Sequence, residues 1–229
     1  MTSQLTQIEL AAVNIDGVLL NDTFSPVIHR FITRRGGHYS EQVERAIFSQ
    51  GQLDAAAVLG RAAGLDASPQ DVLKSYFDER AEYLAENPIR LLDGAVALLR
   101  TLRGLGLRTV CYGGLGRDHF DRYLGEYADL FDAPGYICTN SFRPGIKEIT
   151  TEYFRLDYRN ALFIDDVARV AEEAKRLGVA FIGHPSHFAF GHQRALMTQA
   201  GARHIVGSLS EIDESLLRAV DAEATAGTC

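Results

Sequence analysis

The chain has 229 residues, 46% of them apolar, which is enough for one α/β domain with an insertion or for two small domains. Its net charge of -7 excludes the broad basic surface of most nucleic-acid-binding proteins. It has no apolar run near the roughly 20 residues of a membrane-spanning helix and no basic start typical of a signal peptide. We therefore expect a cytoplasmic protein that binds neither nucleic acid nor membrane.

The first predicted element is a buried strand over residues 8–13, which runs into the polar sequence NIDG. From residue 25 to residue 87 the apolar residues recur at helical spacing. Ser68 is typical of a helix N-cap, and Pro69 suits the first helical position. Pro88 ends this helical run, because the residue before a proline is pushed out of the helical region.

Beyond Pro88, predicted strands and helices alternate. This alternation predicts a Rossmann-like α/β fold, in which a parallel sheet has helices on both faces. Functional residues should lie at the carboxyl ends of its strands, and the helical segment would be an inserted lid. The predicted strands cover 107–112, 136–140, 161–164, 179–182 and 204–206; the helices cover 94–104, 117–127, 146–155, 167–177, 193–199 and 210–219, with a frayed tail over 223–229.

Side chains that suit a metal and an anion follow several of these strands. Two acidic clusters beside a cation favour Mg²⁺ and a small anionic substrate, because carboxylate oxygens are the ligands that Mg²⁺ prefers. Each acid alone could simply cap a turn or a helix, but their occurrence together favours a site. The candidates are Asn14, Asp16, Gly113, Gly114, Arg143, Lys147, Asp165, Asp166, His184 and His187.

Three segments resemble motifs of the haloacid dehalogenase superfamily, most of whose members are Mg²⁺-dependent phosphatases. VNIDGVLLND at 13–22 resembles the first motif, and ALFIDDVARVAEEAKRLG at 161–178 resembles the last. LLDGAVALLRTLRGLGLRTVCYGG at 91–114 is similar to the return from a helical cap into the second core strand. The resemblance implies a core domain of residues 1–22 and 88–229 and a helical cap domain of residues 23–87.

The resemblance also implies roles for individual residues. Asp16 would act as general acid and base. Mg²⁺ would be held by Asp16, Asp165 and Asp166. Arg143, by its position before a proline, or Lys147 would supply the motif's cation, and Gly113 with Gly114 would contact the phosphoryl group.

The residues that differ from the family pattern stand at positions that the family uses for catalysis and ligand binding. The family's nucleophilic Asp is Asn14 here, and an amide is a poor nucleophile and a weaker metal ligand. Gly113 replaces a Thr or Ser, Arg143 a Lys, and Val170 an acid. Four changes together favour natural divergence over an engineered substrate trap.

Two hypotheses follow from these departures. The first is a hydrolase scaffold, ancestrally a phosphatase, with a repurposed or impaired site at Asn14, Asp16, Arg143 and Lys147. The second is a catalytically inactive binding or regulatory protein on the same fold. The sequence leaves a homodimer open.

Two further segments carry polar side chains. His184, His187 and His192 could gather on a transition metal, but a loop of capping or exposed histidines is the simpler interpretation. One of them, His184 or His187, could instead reach the substrate. The charged helix that begins at Arg117 and contains His119 is predicted to be a solvated face.

Overall fold

A parallel sheet forms the centre of the computed structural model, which describes residues 4–228. The strands are β1 (Leu10–Asn14), β2 (Arg108–Gly113), β3 (Tyr136–Cys138), β4 (Ala161–Asp165), β5 (Ala180–Gly183) and β6 (His204–Ile205). Their order is β3-β2-β1-β4-β5-β6, and every pair is parallel. The carboxyl ends of β1 and β4 therefore lie side by side at the centre of one edge.

Successive residues of β1 point to opposite faces of the sheet, as the pleat of a strand requires. Ala11 and Val13 pack into one apolar cluster, and Leu10 and Ala12 pack into another. Helices cover both faces: α5 (Ala95–Gly104), α6 (Arg117–Leu124), α7 (Ala168–Leu177), α8 (Gln193–Ala200) and α9 (Glu214–Ala226). The α/β fold predicted from the sequence is confirmed.

Four helices lie between β1 and α5 and share an apolar cluster of their own. They are α1 (Ser25–Thr33), α2 (Glu41–Ile47), α3 (Gln52–Ala62) and α4 (Pro69–Glu86), here called the cap helices. The predicted N-cap is present, because the side chain of Ser68 accepts a hydrogen bond from the backbone N–H of Asp71. Across residues 4–228, no helix is both long and apolar enough to cross a bilayer.

The chain differs from the sequence prediction mainly at its last helix. The expected helix over 210–219 is displaced, because Asp213 caps α9 and a separate 3₁₀ turn covers Leu209–Glu211. The expected frayed tail is wrong up to Ala226, where α9 ends. Asp221 explains the added length, since its carboxylate accepts three backbone N–H groups from the N-terminal segment. Residue 229 lies outside the described residues.

Two other predicted helices are shorter or irregular. The helix expected over 117–127 ends at Leu124, and a 3₁₀ turn continues over Gly125–Leu130. The helix expected over 146–155 is a single π-helical turn, Glu148–Tyr153.

A buried carboxylate fastens the cap helices to the core. Glu44 on α2 is fully buried and accepts hydrogen bonds from Gln193 Nε2 at 2.7 Å, from the backbone N–H of His192 at 3.0 Å, and from the hydroxyl of Tyr39. Gln193 extends these hydrogen bonds into the core, because its Oε1 accepts a hydrogen bond from the backbone N–H of Ala168 at 2.7 Å. We call these residues the Glu44 network.

We expect Glu44→Ala to lower the free energy of unfolding by about 3 kcal/mol, because it leaves buried hydrogen-bond donors of the cap and of the core without an acceptor. Urea denaturation measures this loss. Gln42→Ala, an exposed change on the same helix, is the matched control and should change stability by less than about 0.5 kcal/mol. Equal losses in the two variants would show that the network does not fasten the cap.

Candidate active site

A cavity of about 140 Å³ lies between the carboxyl edge of the sheet and the cap helices. The core side is polar and includes Asn14, Asp16, Arg143 and Asp166. The cap side is mostly apolar, with Phe24, Ile28, Ile47, Leu59, Leu73 and Phe77. Gln52 closes one end, since its Nε2 donates to the carbonyl of Gly114 at 3.0 Å and its backbone N–H donates to Asn140 at 3.0 Å.

The side chain of Asp165 lies fully buried at the floor of the site and accepts three hydrogen bonds. Asn14 Nδ2 donates to Oδ2 at 2.6 Å, the hydroxyl of Tyr112 donates to the same oxygen at 2.5 Å, and the N–H of Val167 donates to Oδ1 at 2.8 Å. Burial raises the pKa of Asp165, and these hydrogen bonds partly offset that rise. Both carboxylate oxygens are thus satisfied by protein donors.

The register of the sheet brings these groups together. Asn14 lies opposite Tyr112 on β2, while Val13 lies opposite Ile164 on β4, one residue before Asp165. The sequence analysis did not identify Tyr112, because in the sequence it resembles an ordinary strand residue. Only its position opposite Asn14 in the sheet would have identified it.

Asp16 lines the cavity and pairs with a histidine that the sequence analysis misplaced. Its Oδ1 lies 2.9 Å from His119 Nε2, and the two side chains are only 12% and 8% exposed, respectively. The prediction of a solvated face on α6 is therefore wrong for His119, although the exposed Arg117–Asp121 pair on that helix is present. A carboxylate held by an imidazole at a cavity wall can exchange protons with a bound molecule.

Arg143 is the cation at the cavity, and Lys147 is exposed and does not line it. Arg143 Nη1 donates to Thr139 Oγ1 at 3.3 Å, and its buried Nε has no hydrogen-bond partner within residues 4–228. Gly114 lines the cavity beside it, where a Cβ would come within 3.0 Å of Nη2. This guanidinium can hold an oxyanion by a fork of N–H donors.

Asp166 packs against the glycine turn that follows β1. Gly17 has a φ of +91°, and a Cβ there would lie 2.1 Å from Asp166 Oδ2, so that only glycine fits. Burial raises the pKa of Asp166 well above its usual range, and the carboxylates of Asp165 and Asp22 raise it further. Gly113 lies against Ile15 and is not among the residues that line the cavity.

The predicted magnesium ligands do not come together as a metal site. Within residues 4–228, no group of three His, Cys, Asp or Glu side chains is arranged to hold a metal ion. Asp16 faces His119, and Asp165 accepts hydrogen bonds from Asn14, Tyr112 and Val167. This arrangement does not support a Mg²⁺ ion held by all three of Asp16, Asp165 and Asp166.

The histidines of residues 184–192 serve the backbone and the ring packing. His184 Nδ1 lies 3.0 Å from the carbonyl of Gly17, and His187 Nε2 lies 2.7 Å from that of Gly207. His192 stacks on the ring of Tyr39. His184 and His187 line a separate groove behind the Gly17 turn and not the cavity that Asn14 lines.

We expect Asn14→Asp to destabilise the protein by about 2–4 kcal/mol at pH 8, because it replaces a donor with a second buried carboxylate beside Asp165. The like charges raise the folded-state pKa of the pair above the ordinary value of about 4, so the folded state binds more protons than the unfolded state. Stability relative to the parent chain should then fall as pH rises and recover towards pH 5. Thermal unfolding from pH 5 to pH 8 measures this.

Asn87→Asp is the control, because it makes the same chemical change at an exposed helix end. It removes one exposed hydrogen bond, from Asn87 Nδ2 to the Tyr83 carbonyl, so the loss should stay below about 1 kcal/mol and be nearly independent of pH between pH 5 and pH 8. A loss in Asn14→Asp that does not change with pH would contradict the carboxylate pairing.

Comparisons with known proteins identify the fold. No family model and no curated protein matches the sequence. Among solved structures, a HAD hydrolase, family IA, variant 3, from Entamoeba histolytica HM-1:IMSS has a TM-score of 0.68 at 16% identity, covering 94% of this chain and 100% of that chain.

Two further structures agree with this match. A phosphonoacetaldehyde hydrolase-like protein from Oleispira antarctica has a TM-score of 0.67 at 13% identity, covering 99% of this chain and 97% of that one. A HAD family hydrolase from Deinococcus radiodurans R1, solved with bound phosphate and sodium, has a TM-score of 0.59 at 19% identity, covering 96% and 97%. The chain has the fold of the haloacid dehalogenase superfamily.

Proposed function

We propose that this chain is a hydrolase that acts on a small organic anion by acid–base catalysis at Asp16, without an aspartyl nucleophile. The observation that carries the proposal is the Asp16–His119 pair, whose atoms lie 2.9 Å apart at the wall of a cavity that also contains Arg143. The three groups supply a base, a residue that positions it, and a cation for the substrate.

Asn14 does not support the phosphatase chemistry that the fold suggests. Its amide nitrogen donates to Asp165, and an amide oxygen is a poor nucleophile towards phosphorus. Both oxygens of Asp165 also accept hydrogen bonds from protein donors, which compete with Mg²⁺ for the carboxylate. We therefore assign no step of the reaction to a metal held by these residues.

The reaction we propose uses water as the nucleophile. Arg143 binds the oxyanion of the substrate, and Asp16 accepts a proton from the water that attacks the scissile bond. The same carboxyl group then returns that proton to the leaving group. His119 holds Asp16 in place through its ring nitrogen, and the closed cap excludes bulk water.

An anionic substrate agrees with the proteins of similar fold. The Deinococcus radiodurans structure contains phosphate, and the Oleispira antarctica protein is described as phosphonoacetaldehyde hydrolase-like. In this proposal residues 1–22 and 88–229 form the core domain, and residues 23–87 form the cap domain that closes the site. The cytoplasmic location and the homodimer stay predictions.

The second candidate is a binding protein without activity. The Glu44 network favours it, because a cap fastened by several buried hydrogen bonds opens less readily for turnover. The presence of Asp16 and His119 as a buried pair favours the hydrolase, since a protein that only binds has no need of a proton acceptor at the cavity wall.

We expect the parent chain to hydrolyse 4-nitrophenyl half-esters of small dicarboxylic acids, whose free carboxylate Arg143 can bind, and to do so equally with EDTA and with Mg²⁺. Asp16→Asn should lower kcat/KM by about 10²–10⁴-fold, because it removes the proton acceptor. His119→Gln should lower kcat more than it raises KM and should alter the pH–rate profile. Asp121→Asn, an exposed change on the same helix, is the control and should leave the rate unchanged.

Turnover that requires Mg²⁺ or persists in Asp16→Asn would overturn the proposed mechanism. The panel should include 4-nitrophenyl phosphate and the 4-nitrophenyl half-ester of succinate, which are both anionic, so that phosphoryl and acyl transfer are separated. If no ester is hydrolysed while small anions still bind, the binding protein replaces the hydrolase as the function.

A further inference from the structure

The cavity contains polar atoms that the protein itself leaves without partners. Three of its lining residues carry a buried nitrogen or oxygen that has no hydrogen bond within residues 4–228: Tyr76, Asp22 and Arg143. A buried polar group without a partner destabilises the fold, and a molecule bound in the cavity can supply the missing partner. These unpartnered atoms indicate which polar groups a ligand would carry, whereas the apolar lining indicates only that part of the ligand is apolar.

Tyr76 lines the cavity on its apolar side and carries a buried hydroxyl that has no hydrogen-bond partner within residues 4–228. The residue is 5% exposed, and its ring packs edge-on against Phe31 and Phe77. Burial raises the pKa of Tyr76, so the hydroxyl stays protonated at neutral pH and can donate.

Asp22 lines the same cavity and supplies an acceptor. Its Oδ1 accepts the backbone N–H groups of Phe24 and Ser25 at 2.9 and 3.0 Å, which fixes the side chain at the start of α1. Its Oδ2 is buried and has no hydrogen-bond partner within residues 4–228. One donor and one acceptor of this kind match a ligand hydroxyl, which can accept from Tyr76 and donate to Asp22.

The size and charge of the cavity limit the rest of the ligand. A volume of about 140 Å³ is close to that of a cavity that holds one benzene molecule. The cap wall offers aromatic and aliphatic contacts, whereas a sugar would leave most of its hydroxyl groups without partners there. Arg143 requires an oxyanion at the core end.

We propose that the cavity binds a compact organic oxyanion whose apolar body, about the size of one aromatic ring, carries a hydroxyl group that bonds to Tyr76 and Asp22. This inference rests on the proposed function, since it names the substrate class of the same site. The oxyanion is a carboxylate or a phosphate ester, because a guanidinium holds both in the same way.

Isothermal titration with 4-hydroxybenzoate, benzoate, phenyl phosphate and inorganic phosphate tests the proposal. We expect 4-hydroxybenzoate to bind the parent chain about tenfold more tightly than benzoate, because only it can complete the Tyr76 and Asp22 atoms. Benzoate and phenyl phosphate should both bind more tightly than inorganic phosphate. Their relative affinities show whether the site prefers a carboxylate or a phosphate ester.

Tyr76→Phe is the decisive variant, because it removes only the hydroxyl. The variant should bind 4-hydroxybenzoate and benzoate about equally tightly, and its affinity for benzoate should equal that of the parent chain. The variant should also raise Tm by about 2 °C, because an unpartnered buried group is gone. Tyr83→Phe is the control on the same helix, since Tyr83 does not line the cavity, and it should change neither quantity.

Three results would overturn the inference: no binding by any aromatic anion, inorganic phosphate binding as tightly as the aromatic anions, or an unchanged preference in Tyr76→Phe. The last would mean that the hydroxyl holds only a water molecule. Measuring binding and turnover separately distinguishes a failure of this inference from a failure of the proposed function. Tyr76-dependent binding with no effect of Asp16→Asn on hydrolysis would refute the mechanism and leave the ligand class standing.

Discussion

The buried carboxylate of Asp165 is the constraint on which the rest of the site depends. A charged group with no exposure to water must be met by donors or by a cation. Here Asn14, Tyr112 and Val167 provide the donors, and the first two come from the neighbouring strands β1 and β2. An acid at position 14 would leave the carboxylate facing a second negative charge. The amide is therefore a structural part of this floor and not merely a lost nucleophile.

The positions of the other groups at the site are best described relative to the Asn14–Asp165 pair. Asn14 and Asp165 are engaged with each other, and in the proposed mechanism proton transfer is therefore assigned to Asp16, which contacts His119 at the cavity wall. The cap helices complete the site from the other side with an apolar surface, and the Glu44 network keeps that surface against the core. The proposed ligand, with an anionic end and an apolar body, matches the polar core side and the apolar cap side of this cavity.

Sequence patterns predict the architecture well because alternating strands and helices and the motifs at β1 and β4 are local signals. They also place Asn14, Asp16, Asp165 and Asp166 at one edge, since parallel strands end there. Which side chain meets which depends on register and rotamer, and so the Asn14–Asp165 bond was not predictable. His119 was missed because its helix is otherwise charged and exposed. The last helix was displaced because Asp213 and Asp221 act through long-range or capping contacts.

Isothermal titration of MgCl₂ into the parent chain and into Asn14→Asp tests the central claim most directly. If protein donors take the place of a cation at Asp165, the parent chain should bind no Mg²⁺ at millimolar concentrations. The variant, with two adjacent carboxylates, should bind it and gain stability from it. Saturable Mg²⁺ binding by the parent chain, undiminished relative to the variant, would contradict the account.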